Sequence, residues 1–238
     1  MKGLKKAIVA MALLAAALAW AEEPTTAPEP QWEVVSTDDG VVTERREWPD
    51  SPMVEFRGTT VIDARLSKIV SVLTDTGRKL EWIDRAVAAK DLQVFSMLER
   101  IEYNRSSAPW PVRDRDFVFR AQATLDVPQR TLFVTLKSVE HPDMPEQDCC
   151  VRGEITNSSY KLEALEDGSK TRVTVQILAD PKGAVPKWIV NIIQKSWPRK
   201  TLQSLAVQSS KADVVEHAEY KTLFDKAQAA ATATTSAL

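Results

Sequence analysis

The chain has few of the residues on which most catalytic and cofactor sites depend. It contains two histidines and seven glycines in 238 residues. His141 and His217 are isolated, without the short spacing that brings two imidazoles onto one zinc ion. The glycines form no G-x-G-x-x-G or Walker loop, so nothing indicates a nucleotide-binding site. The sequence therefore predicts neither a metal site nor a bound cofactor.

Cysteines are equally scarce, and a disulfide framework is not expected to hold the fold together. The two that are present, Cys149 and Cys150, are neighbours, and a bond between adjacent residues closes a strained ring. We interpret them as a pair of thiols. No G-x-S-x-G nucleophile motif occurs, and neither cysteine has a histidine at a recognisable spacing. We therefore predict no catalytic residues.

The chain also lacks an excess of positive charge. Its formal net charge is −2, whereas nucleic-acid-binding proteins carry concentrated positive surface, so nucleic acid is not an expected partner. Three of its lysines lie in the first six residues, before an apolar run over 7–20 and a small-residue pattern that ends at Ala21. This order is typical of a secretory signal peptide. The run is shorter than the roughly 20 residues of a membrane-spanning helix. We predict cleavage after Ala21 and export, in the style of a bacterial periplasmic protein.

The remaining chain divides into three parts. Residues 22–31 are polar and rich in proline, which is typical of a linker. The folded domain is predicted over 32–210, followed by a tail over 211–238 that is first helical and then of low complexity. Hydrophobic residues make up 44% of the sequence, which is enough for a core.

The hydrophobic periodicity of the domain predicts an α+β fold. Strand-like runs flank the turn signal Asp39-Gly40 and continue over 53–63. Two short helices follow, the second carrying Trp82, and then a series of antiparallel strands. A final helix over about 185–208 has a broad apolar face, and Pro198 should kink or divide it. We expect this helix to cover the inner face of one curved sheet.

One predicted strand, LQVFSMLERIEYN, has a charged residue in its apolar row. Period-two alternation places Glu99 on the same face as Phe95, Met97, Ile101 and Tyr103. If that face points inward, Glu99 needs an arginine or a hydrogen-bonding ligand, because an unpaired buried carboxylate costs several kcal/mol. The alternative is a bulge that turns Glu99 to solvent. Both remain open at this point.

Two further segments resemble motifs of the START domain, the lipid-transfer family named for the steroidogenic acute regulatory protein. In the first, Pro109-Trp110-Pro111 leads into Arg115-Asp116-Phe117-Val118. In the second, an Asp-Pro-x-Gly-like turn that begins at Asp180 precedes a helix starting Val-Pro-Lys. The resemblance extends from about Trp32 to Gln208, with the elements in the same order.

The resemblance implies a helix-grip fold, in which a curved antiparallel sheet wraps around a long C-terminal helix and leaves a tunnel for one apolar molecule. Phe117, Phe119 and Ala121 would then face the tunnel. Members of the family often place a basic residue at the position of Ala121, paired with an acid. Arg120 is one position early and should face outward by strand parity, which leaves Glu99 without an obvious partner.

The resemblance also gives the PWPVRDRD segment a location at the rim of the tunnel. We expect Pro109 and Pro111 to stiffen a rim loop and Trp110 to cap the core or the entrance. The four charges of 113–116 would form a salt-bridged collar. The predicted ligand-binding residues are Phe95, Met97, Glu99, Ile101, Tyr103, Phe117, Phe119, Trp188, Ile189, Ile192 and Ile193, with ordinary core packing as the alternative for each.

Three functions fit these features. The first is a non-enzymatic carrier or sensor of a lipid or other apolar molecule, with transient membrane contact. The second is a cyclase-like enzyme of the wider helix-grip superfamily, which would need two or more polar groups converging in the cavity. The third is a protein-interaction module with a filled core. A large dry tunnel favours the carrier, paired ionisable groups in the cavity favour the enzyme, and a cavity too small for a lipid favours the interaction module.

Overall fold

A computed structural model describes residues 31–47, 54–165, 167–185 and 187–236, although the side chains of 187–189, 191–194 and 232–236 are outside that description. The predicted signal peptide and almost all of the predicted linker lie outside the described residues. The described chain begins at Gln31 and folds as one compact unit.

Ten of the described strands form one large sheet in the order β1-β2-β3-β11-β10-β7-β6-β5-β4, with β8 paired to β6. All neighbours are antiparallel except β8, which runs parallel to β6. Two further short strands, β9 and β12, pair with each other. The strands are β1 Glu33–Asp38, β2 Val41–Glu47, β3 Val54–Ile62, β4 Ala86–Ser96, β5 Glu99–Ser106, β6 Asp114–Asp126, β7 Thr131–Ser138, β8 Cys150–Arg152, β9 Glu154–Ile155, β10 Ser158–Leu165, β11 Lys170–Ile177 and β12 Ala179–Asp180.

The first hairpin forms where the turn signal predicts it. Asp39 and Gly40 have φ angles of 53° and 74°, and the two-residue turn joins β1 to β2. Positive φ at both central residues is the requirement of a type I′ turn, which is why an Asp-Gly pair favours it.

The structure contains a second hairpin that the sequence analysis does not predict. Strand β4 ends at Ser96, and β5 begins at Glu99 and pairs with β4. The predicted single strand LQVFSMLERIEYN is therefore wrong, because Met97 and Leu98 form a turn inside it. No glycine, proline, asparagine or aspartate marks this turn, and such residues are the usual signal.

Within the described residues, three helices accompany the sheet: α1 Leu66–Thr74, α2 Lys187–Ser210 and α3 Ala218–Ser236, with a 3₁₀ helix over Thr76–Glu81. Helix α2 packs against β2, β3 and β11, so the prediction of a C-terminal helix covering an antiparallel sheet is confirmed. It continues through Pro198 without a break. A Cβ at Gly58 would lie 2.8 Å from Pro198 Cβ, so glycine is what permits this close contact of helix and sheet.

The main core lies between the sheet and all three helices. Its fully buried members include Ile69 of α1, Leu162 of β10 and Leu202 and Leu205 of α2. Tyr220 and Phe224 of α3 belong to the same core. The segment after residue 210, predicted as a polar tail, therefore contributes to the packing of the domain.

A smaller cluster lies on the other face of the sheet. Ile101, Tyr103 and Val118 are buried there, and Met144 from the loop after β7 packs against them. Arg152 fastens this loop, because its guanidinium donates to Asp116 and to the carbonyls of Met144 and Pro145. The face of the sheet turned away from the main core, here called the convex face, therefore has its own apolar layer, the convex-face cluster.

At the end of the same loop, Cys149 and Cys150 are joined by a disulfide bond, which corrects the interpretation of the pair as thiols. The local backbone is held by Arg113, whose guanidinium donates to the carbonyls of Asp148 and Cys150.

None of the described helices is long and apolar enough to cross a membrane.

Candidate functional site

A cavity of about 210 Å³ lies between the sheet, α1, the 3₁₀ helix and α2. Its wall is mostly apolar, and the contributing strands run from β4 through β7 and from β9 through β12. Such a space is suited to an apolar molecule. The apolar side chains in its wall are Val70, Leu73, Trp82, Ile83, Met97, Leu98, Phe117, Phe119, Leu132, Val134, Leu136, Ile155, Tyr160, Ile177 and Trp197.

One ion pair is buried in this apolar wall. Lys79 of the 3₁₀ helix donates to Glu102 of β5, and their side chains are only 7% and 4% exposed. Two charges removed from water are tolerated when they are paired. Each charged group can nevertheless form more hydrogen bonds than the one to its partner, and in a low-dielectric space these remain to be satisfied. The pair is therefore a polar point at which a ligand could be oriented.

Glu102 also affects a neighbouring phenol. Burial, and secondarily the negative charge of Glu102, raise the pKa of Tyr160 well above its usual range, so this side chain stays a neutral hydroxyl. Arg100 adds a second basic group to the wall. Its guanidinium donates to the carbonyl of Thr74 at 2.9 Å and approaches Asp91 at 3.5 Å. The polar side of the cavity thus includes the cations of Lys79 and Arg100, the carboxylate of Glu102 and the phenol of Tyr160.

Two buried polar atoms in the wall have no hydrogen-bond partner within the described residues. They are Nε1 of Trp82, a donor, and Oδ1 of Asn104, an acceptor. Buried polar atoms without a partner are rare in folded proteins. Both residues face the cavity, so a ligand or water there would satisfy them.

The loop between β5 and β6 is exposed and apolar. Trp110 is 93% exposed, and a cis peptide bond joins it to Pro111. This rim loop, residues 107–113, adjoins the cavity, because Ser106 before it and Phe117 after it belong to the wall. Trp110 therefore projects into solvent and does not cap the core.

The charged residues that follow Trp110 have partners elsewhere. Of the expected salt-bridged collar, the two aspartates have described ion pairs, Asp114 with Arg105 and Asp116 with Arg152. Arg115 donates to the carbonyls of Pro181 and Lys182 at 3.1 and 2.9 Å. It thereby fixes the turn that precedes α2.

Comparison with known proteins identifies the family. The family model described as START domain matches residues 14–198. This chain belongs to the START domain family. The match begins within the segment predicted as the signal peptide and ends inside α2.

Individual relatives agree with this START assignment. An uncharacterized protein of Pseudomonas aeruginosa is 27% identical over 206 residues, covering 87% of this chain and 99% of the relative. The mouse phosphatidylcholine transfer protein is 26% identical over 170 residues, covering 69% of this chain and 77% of that protein.

Solved START structures share the fold. The STAR-related lipid transfer protein of Xanthomonas axonopodis superposes with a TM-score of 0.66 at 28% identity, covering 76% of this chain and 99% of that one. Human StAR-related lipid transfer protein 5 gives a TM-score of 0.67 at 20% identity, covering 74% of this chain and 86% of that one.

The START structure brings four of the predicted residues to the cavity. Met97, Glu99, Phe117 and Phe119 are in its wall. Phe117 packs against Gly153 so closely that a Cβ there would collide with its ring. Glu99 is paired with Arg120, the residue expected to face outward, which is indeed exposed. The expectation that Glu99 lacks a partner is therefore wrong.

Three other predicted residues do not face the cavity. Phe95 is 48% exposed and lies beneath the guanidinium of Arg120 at 5.2 Å. Ile101 and Tyr103 are buried in the convex-face cluster. The unpredicted turn at 97–98 separates the row into two strands. Beyond Glu99 at its start, β5 contributes its even-numbered residues to the cavity wall. The side chains of the remaining candidates, Trp188, Ile189, Ile192 and Ile193, lie outside the described residues.

Sequence reasoning missed the polar residues of the site: Lys79, Arg100, Glu102 and Asn104. The signal was present in β5, where charged and polar residues alternate with Ile101 and Tyr103. Alternation alone does not say which set faces inward. Lys79 carries no comparable signal, because it lies on a short 3₁₀ helix whose contacts are set by the fold.

Proposed function

We propose that this START domain binds one lipid or other apolar molecule in its cavity and serves as a carrier or sensor. The observation that carries the proposal is the apolar cavity with a buried ion pair, Lys79–Glu102, in its wall. The names of two relatives, a phosphatidylcholine transfer protein and a STAR-related lipid transfer protein, support the same class of ligand.

The size of the cavity limits which ligands can fit. Its volume of about 210 Å³ is below the roughly 300–1,000 Å³ of sites for drug-sized molecules. We infer that the closed protein holds a single acyl chain or a compact apolar molecule. A two-chain phospholipid would require the wall to move outward. Burial of apolar area, at about 25 cal/mol per Å², would supply the driving force.

The polar groups would orient the ligand. Arg100 and Lys79 provide cationic donors, and Trp82 Nε1 provides a neutral one. A carboxylate or hydroxyl at one end of an apolar ligand could accept from them, while Asn104 Oδ1 accepts from a hydroxyl. The proposal therefore favours ligands with one polar end over pure hydrocarbons.

The first experiment is native mass spectrometry of protein purified from its own host, with organic extraction of bound molecules. A stoichiometric lipid supports the proposal and identifies the ligand. Titration with a dansyl-labelled undecanoic acid, compared with a fluorescent phosphatidylcholine, tests the size argument. An empty protein that binds neither probe would overturn the proposal.

Membrane contact through Trp110 is part of the same proposal. Tryptophan favours the interface between water and lipid, and its 93% exposure leaves the ring available. We expect W110A to slow ligand transfer between phosphatidylcholine–phosphatidylglycerol vesicles and to reduce co-sedimentation with them, without lowering affinity for the soluble probe. Val215→Ala, at another highly exposed apolar residue, is the matched control.

We also propose that the protein is exported, with Glu22 as the first residue of the mature chain. The supporting feature is the charged, apolar and small-residue order of residues 1–21. Cell fractionation and N-terminal sequencing test it. Recovery from the cytoplasm with the leader intact would contradict it.

One observation favours the enzyme alternative. The Lys79–Glu102 pair with Tyr160 beside it places ionisable groups together inside the cavity, as general acid–base chemistry requires. The mass spectrometry decides here too: a ligand recovered chemically unchanged after prolonged incubation supports the carrier, and a converted one supports the enzyme.

A further inference from the structure

Helix α3 lies beyond residue 198, where the START family match ends, yet it is packed into the domain. Tyr220, Phe224, Ala227 and Ala231 are all buried. Their spacing of four, three and four residues places them on one face of the helix. Lys221, Thr222 and Lys226, on the remaining surface, are exposed. The helix is therefore an added element with a single docking face.

Tyr220 connects this docking face to the cavity wall. Its hydroxyl donates to the carbonyl of Met97 at 2.7 Å and accepts from Nη2 of Arg100 at 3.3 Å. Met97 and Arg100 both line the cavity. The hydroxyl thus joins the turn between β4 and β5 to a cationic group of the wall, and it does so from outside the cavity.

Further polar contacts hold α3 and the residues just before it. Within α3, Gln228 Oε1 accepts from Arg130 of the β6–β7 turn at 3.3 Å, and the others link the start of the helix to α1. The N–H of His217 donates to Ser71 Oγ at 2.9 Å, and Ser67 Oγ donates to Glu216 at 2.7 Å. Asp225 pairs with Arg65, and both side chains are more than 40% exposed. Exposed pairs of this kind contribute little. Two large side chains, Tyr220 and Phe224, therefore supply most of the docking, and such a peripheral helix opens more easily than the core.

The turn that Tyr220 holds is suited to move. Strand β4 is an edge of the sheet and pairs only with β5 in the described part of the chain. Beyond that pairing, the printed backbone bond of the turn is from the N–H of Ala123 in β6 to the carbonyl of Leu98 at 2.8 Å, so outward movement of the turn breaks this one bond to β6. The turn lies at the start of β5, whereas the rim loop with Trp110 follows the end of β5. At about 3.3 Å per residue, the length of the strand separates the two ends of the cavity.

We propose that α3 is a clasp that closes the cavity at the Met97–Leu98 turn. Docked, it holds the turn and positions Arg100 through the Tyr220 hydroxyl. When α3 is released, the turn can open and the ligand can leave the cavity. Tyr220 is a positioning residue, since it acts through Arg100 and Met97. The proposal rests on the proposed function, because it assumes that the cavity holds a ligand.

The test uses the full chain and the variant Y220F, which removes the hydroxyl and keeps the ring. The dissociation rate of dansyl-labelled undecanoic acid is measured by stopped-flow transfer into phosphatidylcholine vesicles. We expect Y220F to raise this rate about five-fold, which is the effect of losing one net hydrogen bond. Phe224→Leu, which loosens the same docking face, should also raise it.

Two controls separate the clasp from a general loss of stability. Thr222→Ala changes an exposed residue of α3 whose hydroxyl donates to Ala218 within the helix, and it should leave the rate unchanged. Ile101→Val lowers stability from the convex-face cluster and should also leave it unchanged. Equal rates in Y220F and the unsubstituted protein, or an equal increase in I101V, would overturn the proposal.

Hydrogen exchange gives a readout that needs no ligand. Backbone amides of residues 97–100 should exchange faster in Y220F than in I101V. If the protein binds no probe but this difference is present, the proposed function fails and the clasp as a structural device stands. If the probe binds and the exchange rates are equal, the clasp fails and the proposed function stands.

Discussion

The two faces of β5 reverse the usual relation between burial and polarity. The face turned to the cavity carries Arg100, Glu102 and Asn104, whereas Ile101 and Tyr103 on the opposite face are covered by the loop after β7. A strand that only supported a core would place its apolar row inward. The reversal fits the proposed function, in which the inner row contacts a ligand and the outer row supplies the stability.

The largest effect is expected from breaking the buried ion pair on the inner face. E102L leaves the ammonium of Lys79 without its partner in the apolar wall, so the free energy of unfolding should fall by about 3–5 kcal/mol. Urea unfolding measures it. The double variant K79M/E102L removes both charges and should recover most of the loss. If E102L is as stable as the unsubstituted protein, the pair is not buried as described.

A substitution on the outer face should change the stability of the protein and not its affinity for the ligand. Ile101→Ala leaves a cavity in the convex-face cluster and should cost about 2–4 kcal/mol, measured by the same unfolding experiment. Affinity for dansyl-labelled undecanoic acid should stay within about two-fold, since Ile101 is absent from the cavity wall. A large loss of affinity at full folding would mean that the two faces are not functionally separate.

Substitution of Asn104 should have the opposite effect, changing ligand affinity and not stability. Its Oδ1 is buried and has no partner among the described residues, so N104A should change the free energy of unfolding by less than about 1 kcal/mol. A ligand hydroxyl bonded to this atom would lose that bond, and affinity for a hydroxylated fatty acid should fall about ten-fold. Affinity for the same chain without the hydroxyl is the control and should be unchanged.

The reversed strand also explains what could be predicted from the sequence. The Asp39-Gly40 hairpin was predictable because the turn chemistry is local, and β6 because Phe117 and Phe119 belong to a recognisable motif. The turn at Met97-Leu98 carries only a weaker signal, Ser96, whose Oγ accepts from the N–H of Leu98. Because alternation does not say which row of β5 faces inward, Ile101 and Tyr103 were assigned to the wrong face. The docking of α3 depends on two aromatic residues in a polar helix, which is too weak a pattern to predict a core contact.

The buried ion pair on the inner face also depends on an element other than β5, because its cation, Lys79, belongs to the 3₁₀ helix. That helix is fastened through Glu81, which bonds Arg78 at 2.8 Å, Gln208 at 3.0 Å and Lys211 at 3.2 Å. The hydrogen bond from Arg78, followed by that from Gln208, lowers the pKa of Glu81 to about 2 from an ordinary value of 4.5. A carboxyl with a lowered folded pKa stabilises the fold above its ordinary pKa, and this stability is lost as the pH falls from about 4.5 towards 2.

We therefore expect E81Q to flatten the acid side of the stability curve by a small amount. The thermal midpoint of the unsubstituted protein should fall more steeply than that of E81Q over this pH range, and the two should converge at its lower end. The site is exposed, so about 1 M salt should shrink the difference by screening. An unchanged slope would show that Glu81 does not hold the helix, and Lys79 would then be positioned by Glu102 alone.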